Sequence, residues 1–174
     1  MKIRKGSVAD ISAVTDIYNL IHDEIECGRY NMRWHRDLYP TRSWAESHIA
    51  DGDLYVMEED GIIVASAIIN HAPLPEYYKG AWYQPDSYNN IMVLHTLVVH
   101  PKHMRRGYAS AFVNYYEKKA KGSGCYRLRL DTQMMDIPAR ALYKKLGYVE
   151  VDNVPCQFQG ISDIDLVLIE KLLL

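Results

Sequence analysis

A short basic segment in the middle of the chain follows an apolar stretch and combines residue types that bind anions. It reads Leu97-Val98-Val99-His100-Pro101-Lys102-His103-Met104-Arg105-Arg106-Gly107-Tyr108-Ala109-Ser110. We expect its apolar part to be a buried strand and Gly107 to open a helix, whose first N–H groups lack partners within the helix. Such an N-terminus attracts phosphate, and Lys102, Arg105 and Arg106 add positive charge. For this segment alone, a plain turn with solvated cations is the alternative, since the spacing matches neither a P-loop nor G-x-G-x-x-G.

A second segment, further along the chain, reads Asp136-Ile137-Pro138-Ala139-Arg140-Ala141-Leu142-Tyr143-Lys144-Lys145-Leu146-Gly147-Tyr148. Together the two segments resemble the central motifs of the GNAT superfamily of N-acetyltransferases. The first resembles Q/R-x-x-G-x-G/A after a strand, with Met104 in place of Gln or Arg. The second resembles N-x-x-A-x-x-L-Y-x-x-x-G-F, with Asp136 in place of Asn and Tyr148 in place of Phe. The order of the predicted elements fits the family across nearly the whole chain.

This resemblance implies that acetyl-CoA is the co-substrate. It would lie in a cleft between the strand ending at Val99 and the strand from Tyr126. Its pantetheine arm would pair with strand backbone as an added strand does, and its pyrophosphate would bind the loop amides. The implied cofactor-binding residues are Leu97, Val98, Val99, Met104, Arg105, Arg106, Gly107, Tyr108, Ala109, Ser110 and Asp136.

Two residues are candidates for proton transfer. By the resemblance, Tyr143 protonates the departing CoA thiolate, because a phenol with a pKa of about 10 can share its proton with a thiolate. His95 is predicted to take the proton of the amine, since neutral imidazole suits that task near pH 7. Strand alternation is expected to place His95, Leu97 and Val99 on one face. The alternatives are a tyrosine packed in the core and a structural histidine.

Residues 71–90 are rich in Pro and Tyr and show no periodicity, which predicts a long loop. Its acidic residues could bind a cationic amine, and aromatic rings could form the walls of the site. The candidate substrate-binding residues are Tyr30, Trp34, Glu76 and Trp82, with Tyr77, Tyr78, Tyr83 and Asp86 beside them. A loop that simply covers apolar surface is the alternative.

The periodicity of the chain predicts the elements that carry these residues. Helices are expected from Ser7 to Gly28, from near Ser43 with a Ser43–Glu46 cap, from 107 to 121, and from Asp136 to Gly147. Strands are expected at 54–57, 62–69, 91–99, 126–130, 148–151 and 163–170, with a type I′ turn at Asp60-Gly61. This order predicts one mixed α/β domain over residues 1–174. The resemblance implies a central, splayed, mostly antiparallel mixed sheet flanked by helices.

Composition excludes several other classes of protein. The chain has 174 residues, 48% of them hydrophobic, and a formal net charge of −2, which argues against nucleic acid as a partner. No apolar run approaches the roughly 18 residues of a membrane span. Its three cysteines are widely spaced, which favours reduced thiols in the cytoplasm. The seven histidines show no ligand spacing such as H-E-x-x-H, so we expect no metal.

The sequence therefore predicts an N-acetyltransferase that moves an acetyl group from acetyl-CoA to a primary amine of a small molecule, peptide or protein. The amine would attack directly in a ternary complex. One alternative is a related domain that binds acyl-CoA as a sensor without catalysis, and another is an acyltransferase that uses a different acyl-CoA. A homodimer is also an option, because Leu172-Leu173-Leu174 could pack internally or against another subunit.

Overall fold

The computed structural model describes residues 1–82 and 87–173. Within them the helices are α1 (Ile11–Glu26), α2 (Arg42–Ala50), α3 (Tyr108–Gly122) and α4 (Ile137–Lys145). The strands are β1 (Lys2–Lys5), β2 (Leu54–Glu59), β3 (Ile62–Asn70), β4 (Ile91–Val99), β5 (Arg127–Gln133), β6 (Val149–Phe158) and β7 (Ile161–Leu172). Short 3-10 turns occupy Val8–Asp10, Pro75–Lys79, Tyr88–Asn90 and Pro101–His103.

The strands form a seven-stranded mixed sheet in the order β1-β2-β3-β4-β5-β7-β6. β4 and β5 run parallel, in a register that extends from Ile91 opposite Arg127 to Leu94 opposite Leu130. β1 with β2, β2 with β3, β5 with β7, and β6 with β7 are antiparallel pairs. A mixed, mostly antiparallel sheet combined with helices confirms the predicted fold class.

The chain divides into two compact units. Unit 1 comprises Met1–Ile69 and Thr96–Tyr115, and unit 2 comprises Asn70–His95 and Tyr116–Leu174. The core of unit 1 consists of Val14, Ile17, Tyr18, Ile21, Ala45, Leu54, Val56, Ile63 and Val98. The core of unit 2 consists of Tyr77, Ile91, Val93, Val154, Cys156, Ile164, Leu166 and Leu168. A single domain over residues 1–174 stays a prediction.

Helix α1 forms where the sequence predicts it. The Ser7 N–H and hydroxyl both donate to the Asp10 carboxylate, at 2.8 and 2.7 Å, and so cap the helix start. The apolar positions Val14, Ile17 and Ile21 recur at helical spacing and are all buried. The chain leaves the helix at Gly28, whose φ of 72° suits glycine.

Two tight hairpins connect strands. Asp60 and Gly61 have φ values of 51° and 76°, which confirms the predicted type I′ turn. Gln159 and Gly160 join β6 to β7 with similar values, 50° and 81°. The sequence analysis missed this second hairpin because register shifts in β6 interrupt the alternation that marks strands.

Other parts of the fold differ from the prediction. Strand β1 is an additional element: three of its four residues are charged, so its sequence gives no strand signal, yet it pairs antiparallel with β2. Helix α2 is capped by Thr41, whose hydroxyl accepts from the Trp44 N–H at 3.3 Å, rather than by Ser43. The glutamate expected in that cap, Glu46, instead pairs with Arg42. The C-terminal strand β7 packs internally between β5 and β6, while Leu174 lies outside the described residues.

Candidate active site

The candidate phosphate loop, residues 104–107, leads into the first turn of α3. Arg105 and Gly107 have left-handed backbone, with φ of 60° and 83°. A Cβ added to Gly107 would meet no heavy atom within 4 Å, so the space beside this glycine is open. The first backbone bond of α3 runs from the Ala111 N–H to the Gly107 carbonyl at 2.9 Å. The amides of residues 108–110 therefore precede the helical ladder and are available to an anion.

Exposed cations surround this loop. Lys102, Arg105 and Arg106 are exposed, and none of them forms an ion pair within the described part of the chain. The turn before the loop is fixed by His100, whose Nδ1 accepts from the Lys102 N–H at 3.2 Å. Burial, together with the charges of His103 and Lys102, lowers the pKa of His100, which keeps that nitrogen an acceptor. Backbone donors and exposed side-chain cations thus lie within one short segment, which is a candidate anion-binding site.

Aromatic residues that follow α1 reach this part of unit 1. The Tyr30 hydroxyl donates to the Sδ atom of Met104. Trp34 packs edge-on against Tyr39 with ring centroids 5.4 Å apart. The Tyr39 hydroxyl in turn forms a 2.5 Å hydrogen bond with the Thr96 hydroxyl. Two predicted substrate-binding residues therefore lie near predicted cofactor-binding segments, Tyr30 at the phosphate loop and Trp34, through Tyr39, beside the second half of β4.

The second half of β4 does not follow simple alternation. Thr96 has a left-handed backbone with φ of 50°. Alternation of side chains requires extended backbone at every residue, so it does not carry across Thr96, and a shared face for His95, Leu97 and Val99 stays a prediction.

Tyr143, the predicted proton donor, lies on α4 in unit 2. Its side chain is 6% exposed, and its ring packs edge-on against Tyr148 at 5.9 Å between centroids. Its hydroxyl finds no hydrogen-bond partner in the described part of the chain. Burial, followed by the charges of Asp136 and Asp131, raises its pKa. Tyr143 is therefore a neutral phenol at pH 7, the form that can donate a proton.

His95, the predicted base, lies in the first half of β4. Its Nε2 atom is 3.2 Å from the Asn70 Oδ1 and 3.0 Å from the Ala72 carbonyl. Both oxygens are acceptors, so a neutral ring carries its hydrogen on Nε2 and its lone pair on Nδ1. Nδ1 is thus the nitrogen through which His95 would take a proton.

Asp131, on β5, is a candidate that the sequence analysis missed. Its Oδ2 atom accepts a 2.7 Å hydrogen bond from the hydroxyl of Tyr77, which is fully buried in the core of unit 2. Burial raises the pKa of Asp131 to about 6. In the sequence, Arg127 and Arg129 alternate with leucines, which predicts a half-buried strand but gives no separate signal for Asp131. The burial of Asp131 and its bond to Tyr77 come from the tertiary structure.

Residues 75–82 of the Pro- and Tyr-rich segment pack against the core of unit 2, which fits the alternative of a loop that covers apolar surface. The Trp82 indole N–H donates to the Tyr77 carbonyl at 2.6 Å, and the Arg129 guanidinium lies 4.0 Å from the Trp82 ring centroid. A Cβ on Gly80 would clash with Leu168, which shows how closely the segment approaches the sheet. One face of Trp82 is therefore occupied by an internal cation, and a role of Trp82 in substrate binding stays a prediction.

The other candidates from this segment have different surroundings. Glu76 is half-buried, and its negative charge raises the pKa of Asp131 and of the Cys156 thiol. Tyr78 is 72% exposed and so forms no buried wall. Tyr83 and Asp86 lie outside the described residues.

Comparison with known proteins gives the family. The model of the acetyltransferase (GNAT) family matches residues 15–148 of this chain. The chain belongs to the GNAT acetyltransferase family. As a member of the GNAT family it is an acyltransferase. None of the curated protein sequences matches it.

Solved structures share the GNAT fold. A GNAT acetyltransferase from Streptococcus agalactiae has 21% identity and a TM-score of 0.81, over 98% of this chain and 94% of that one. The ribosomal-protein-alanine N-acetyltransferase from Brucella melitensis has 19% identity and a TM-score of 0.70, over 99% and 100%. The protein yncA from Salmonella typhimurium, solved with acetyl-CoA, has 20% identity and a TM-score of 0.68, over 99% and 94%.

In this GNAT chain, Asp136 takes the place of the motif asparagine and caps α4. Its Oδ1 accepts from the Ala139 N–H at 3.1 Å, and its Oδ2 accepts from the Thr132 hydroxyl at 3.2 Å. Burial is the main reason that its pKa is raised. Both carboxylate oxygens are therefore engaged within unit 2, and a role of Asp136 in cofactor binding stays a prediction.

Two further observations concern the described residues only. In residues 1–82 and 87–173, no helix has the length and apolarity needed to cross a bilayer. The same residues contain no group of three or more His, Cys, Asp or Glu side chains arranged to hold a metal ion.

Proposed function

We propose that this GNAT protein transfers an acetyl group from acetyl-CoA to a primary amine, which attacks the thioester directly in a ternary complex. The observation that carries the proposal is the start of α3. Backbone amides lie there beside an open glycine and three exposed cations. A diphosphate has several oxygens and can accept from these donors at the same time, so their small contributions to the binding free energy add up.

The fit to acetyl-CoA depends on backbone more than on side chains. The open space at Gly107 would receive the pyrophosphate, and residues 105–110 would donate to it. Lys102, Arg105 and Arg106 would neutralise its charge. The backbone of residues 97–99 would pair with the pantetheine amides. The Tyr30 hydroxyl donates to the Met104 Sδ atom, so the Met104 side chain is held beside the loop. Met104 replaces the Gln or Arg of the motif, and this replacement leaves the backbone donors in place.

Within unit 2, Tyr143 would protonate the CoA thiolate. Its hydroxyl is neutral, buried and without a competing partner in the described residues. A neutral phenol without a competing partner can donate its proton to a thiolate. Removal of this donor would affect the leaving group and leave phosphate binding unchanged.

The acceptor amine is protonated at pH 7, so a group on the protein has to take its proton before attack. His95 is the acceptor that the sequence predicts, through Nδ1. Tyr30, Trp34, Glu76 and Trp82 are proposed as substrate-binding residues in the order that their surroundings support, with Trp82 last because Arg129 covers one face of its ring.

The setting of the reaction is also proposed. Three free cysteines support a reducing compartment such as the cytoplasm. A homodimer is proposed without a defined interface, and its test is the molecular mass in solution.

The first experiment is a calorimetric titration of the protein with acetyl-CoA, CoA and dephospho-CoA. We expect micromolar affinity for acetyl-CoA, about −8 kcal/mol. Turnover is then measured by thiol release with butylamine, phenethylamine, spermidine and the dipeptide Ala-Ala. Binding with turnover supports the proposal. Binding without turnover of any amine favours an acyl-CoA sensor, and tighter binding of a longer acyl-CoA favours another donor.

A further inference from the structure

The carboxylate of Asp131 is held in place by a buried tyrosine. Tyr77 has no exposed surface, and its hydroxyl donates to the Asp131 Oδ2 at 2.7 Å. The Tyr77 ring is fixed by the core of unit 2 and by Trp82, whose ring centroid lies 5.2 Å away. One oxygen of Asp131 is therefore oriented by a rigid donor, which leaves Oδ1 for another contact.

No cation in residues 1–82 and 87–173 forms an ion pair with this carboxylate. The nearest arginine on its own strand, Arg129, is 2% exposed and binds the Glu170 carboxylate at 2.9 Å. A partly buried carboxylate without a counter-charge is costly for the fold, and such a cost is typical of groups that act on a ligand.

The titratable groups that face Asp131 come from three other elements. They are Glu76 and Tyr77 of the 3-10 turn Pro75–Lys79, Tyr143 of α4 and Cys156 of β6. Burial first, and then the charge of Glu76, raise the pKa of Asp131 to about 6, against the opposing hydrogen bond from Tyr77. The charge of Asp131 in turn raises the pKa of Tyr143. An acid and a base whose pKa values are pushed apart in one site are typical of proton-transfer chemistry.

On the basis of the proposed function, we infer that Asp131 is the catalytic residue that takes the proton of the acceptor amine, and that Tyr77 positions it. The ammonium group of the substrate binds the uncompensated carboxylate, and the half-buried Glu76 adds attraction for the same cation. In the same reaction, Tyr143 acts as the proton donor to the leaving group.

The proton balance of the reaction is complete with these groups. The ammonium gives one proton to the Asp131 carboxylate, and the nitrogen lone pair forms the N–C bond with the acetyl carbon. The C–S bond breaks, its electron pair stays on sulfur, and the Tyr143 hydroxyl gives its proton to that sulfur. The phenolate then takes the remaining extra proton from the new amide nitrogen, and Asp131 releases its proton to water. No oxidant or metal is required.

The raised pKa of Asp131 also makes this transfer easier. An ordinary aspartate has a pKa of about 3.9 and an alkylamine about 10.4, so proton transfer between them is strongly uphill. A carboxylate with a pKa of about 6 lies roughly two units closer to the amine, which makes the transfer about a hundredfold less unfavourable. It is still ionised at pH 7 and can bind the ammonium.

The test uses kcat and the pH profile of kcat/KM with the best amine of the panel above. Asp131→Asn should lower kcat by at least about a hundredfold and leave the calorimetric affinity for acetyl-CoA unchanged. It should also remove the acid limb of the profile, which is the fall of kcat/KM below about pH 6 as the base becomes protonated. Tyr77→Phe removes a bond that favours the charged form, so the limb should move to higher pH. Glu76→Gln removes a repelling charge, so the limb should move to lower pH. His95→Gln keeps a donor to Asn70 and Ala72 and tests the other candidate base: the limb persists if Asp131 takes the proton and is lost if His95 does.

Opposite shifts in Tyr77→Phe and Glu76→Gln support the inference even if Asp131→Asn proves unstable. Full turnover with an intact acid limb in Asp131→Asn would overturn it and leave the transferase function standing. A limb that disappears only in His95→Gln would assign the base to His95. Acetyl-CoA binding without turnover of any amine by the wild type would overturn both proposals.

Discussion

The phosphate loop of unit 1 and the acid–base cluster of unit 2 are built in different ways. The loop, residues 104–107, continues directly into the first turn of α3, and its candidate donors are mainly backbone amides. The cluster joins side chains from distant segments: Tyr77 of the unit 2 core donates to Asp131, and the charge of Asp131 acts on Tyr143. A backbone site tolerates changes of side chain, as Met104 illustrates, whereas a cluster depends on each group that forms it. The two regions should therefore respond differently to substitution.

Two buried carboxylates show the same contrast. Asp10 in unit 1 has its partners close in sequence: Arg4 donates to it twice at 2.8 Å, and Ser7 caps it. The Arg4 bonds hold the pKa of Asp10 well below its usual range. Asp131 in unit 2 has one neutral donor, and its pKa is raised. The first carboxylate stabilises the fold by being charged, and the second destabilises it by being charged.

The largest effect is expected at the loop. Gly107→Glu places a negative side chain in the open space beside the helix start, so acetyl-CoA affinity should fall at least about a thousandfold, about 4 kcal/mol. Gly61→Glu is the matched control, because Gly61 also has a positive φ and no neighbour within 4 Å. Calorimetry should show normal binding in the control. Normal binding in Gly107→Glu would mean that the cofactor lies elsewhere.

The next effect belongs to the cluster. Tyr143→Phe should lower kcat about a hundredfold while the affinity for acetyl-CoA stays unchanged, since it removes a proton donor and no phosphate contact. Tyr148→Phe is its control: the two rings are in edge-on contact, and only Tyr143 is assigned to the reaction. Equal turnover in both variants would remove Tyr143 from the mechanism.

A smaller effect is expected on stability in unit 1. Asp10→Asn should lower the free energy of unfolding at pH 7 by about 2 kcal/mol, because it weakens charge-assisted bonds to Arg4. The folded pKa of Asp10 is depressed, so this contribution is present above about pH 4 and is lost as the pH falls towards the folded value. Urea unfolding at pH 7 and pH 3 measures it. A loss of equal size at both pH values would contradict this account.

The smallest effect has the opposite sign. Asp131→Asn should raise the free energy of unfolding at pH 7 by about 1–2 kcal/mol, because the folded pKa of about 6 exceeds the unfolded value. Ionisation of Asp131 lowers stability as the pH rises from about 4 to about 6, so the gain of the variant should grow over that range and then level off. The same urea titrations measure it. A variant less stable than the wild type at pH 7 would mean that Asp131 is a structural residue.

Local signals predicted most of the fold. The cap at Ser7 and Asp10, the Asp60-Gly61 turn and the exact limits of β4 all depend on neighbouring residues, and all are confirmed. Strand β1 and the Gln159-Gly160 hairpin escaped prediction because they depend on pairing with a partner strand. A short charged segment or an irregular strand shows no period until its partner is known.

The residues of the candidate site show the same difference between local signals and signals that depend on distant partners. The Gly107 loop and Tyr143 could be found from contiguous motifs, since their spacing is set by one turn or one helix. Asp131 could not, because its environment comes from Tyr77, which lies far away in sequence. The left-handed residue Thr96 broke the alternation used for His95, and no rule from residue type alone predicts a positive φ at a threonine.

The sequence by itself determined the family, the candidate phosphate loop and most of the order of the elements, because caps, turns and helix starts are short-range interactions. Only the tertiary structure decided which carboxylate lacks a counter-charge, which ring already holds a cation, and which hydroxyl lacks a partner. Those properties depend on burial and on contacts between distant segments, which set the cost of charge and the orientation of each donor.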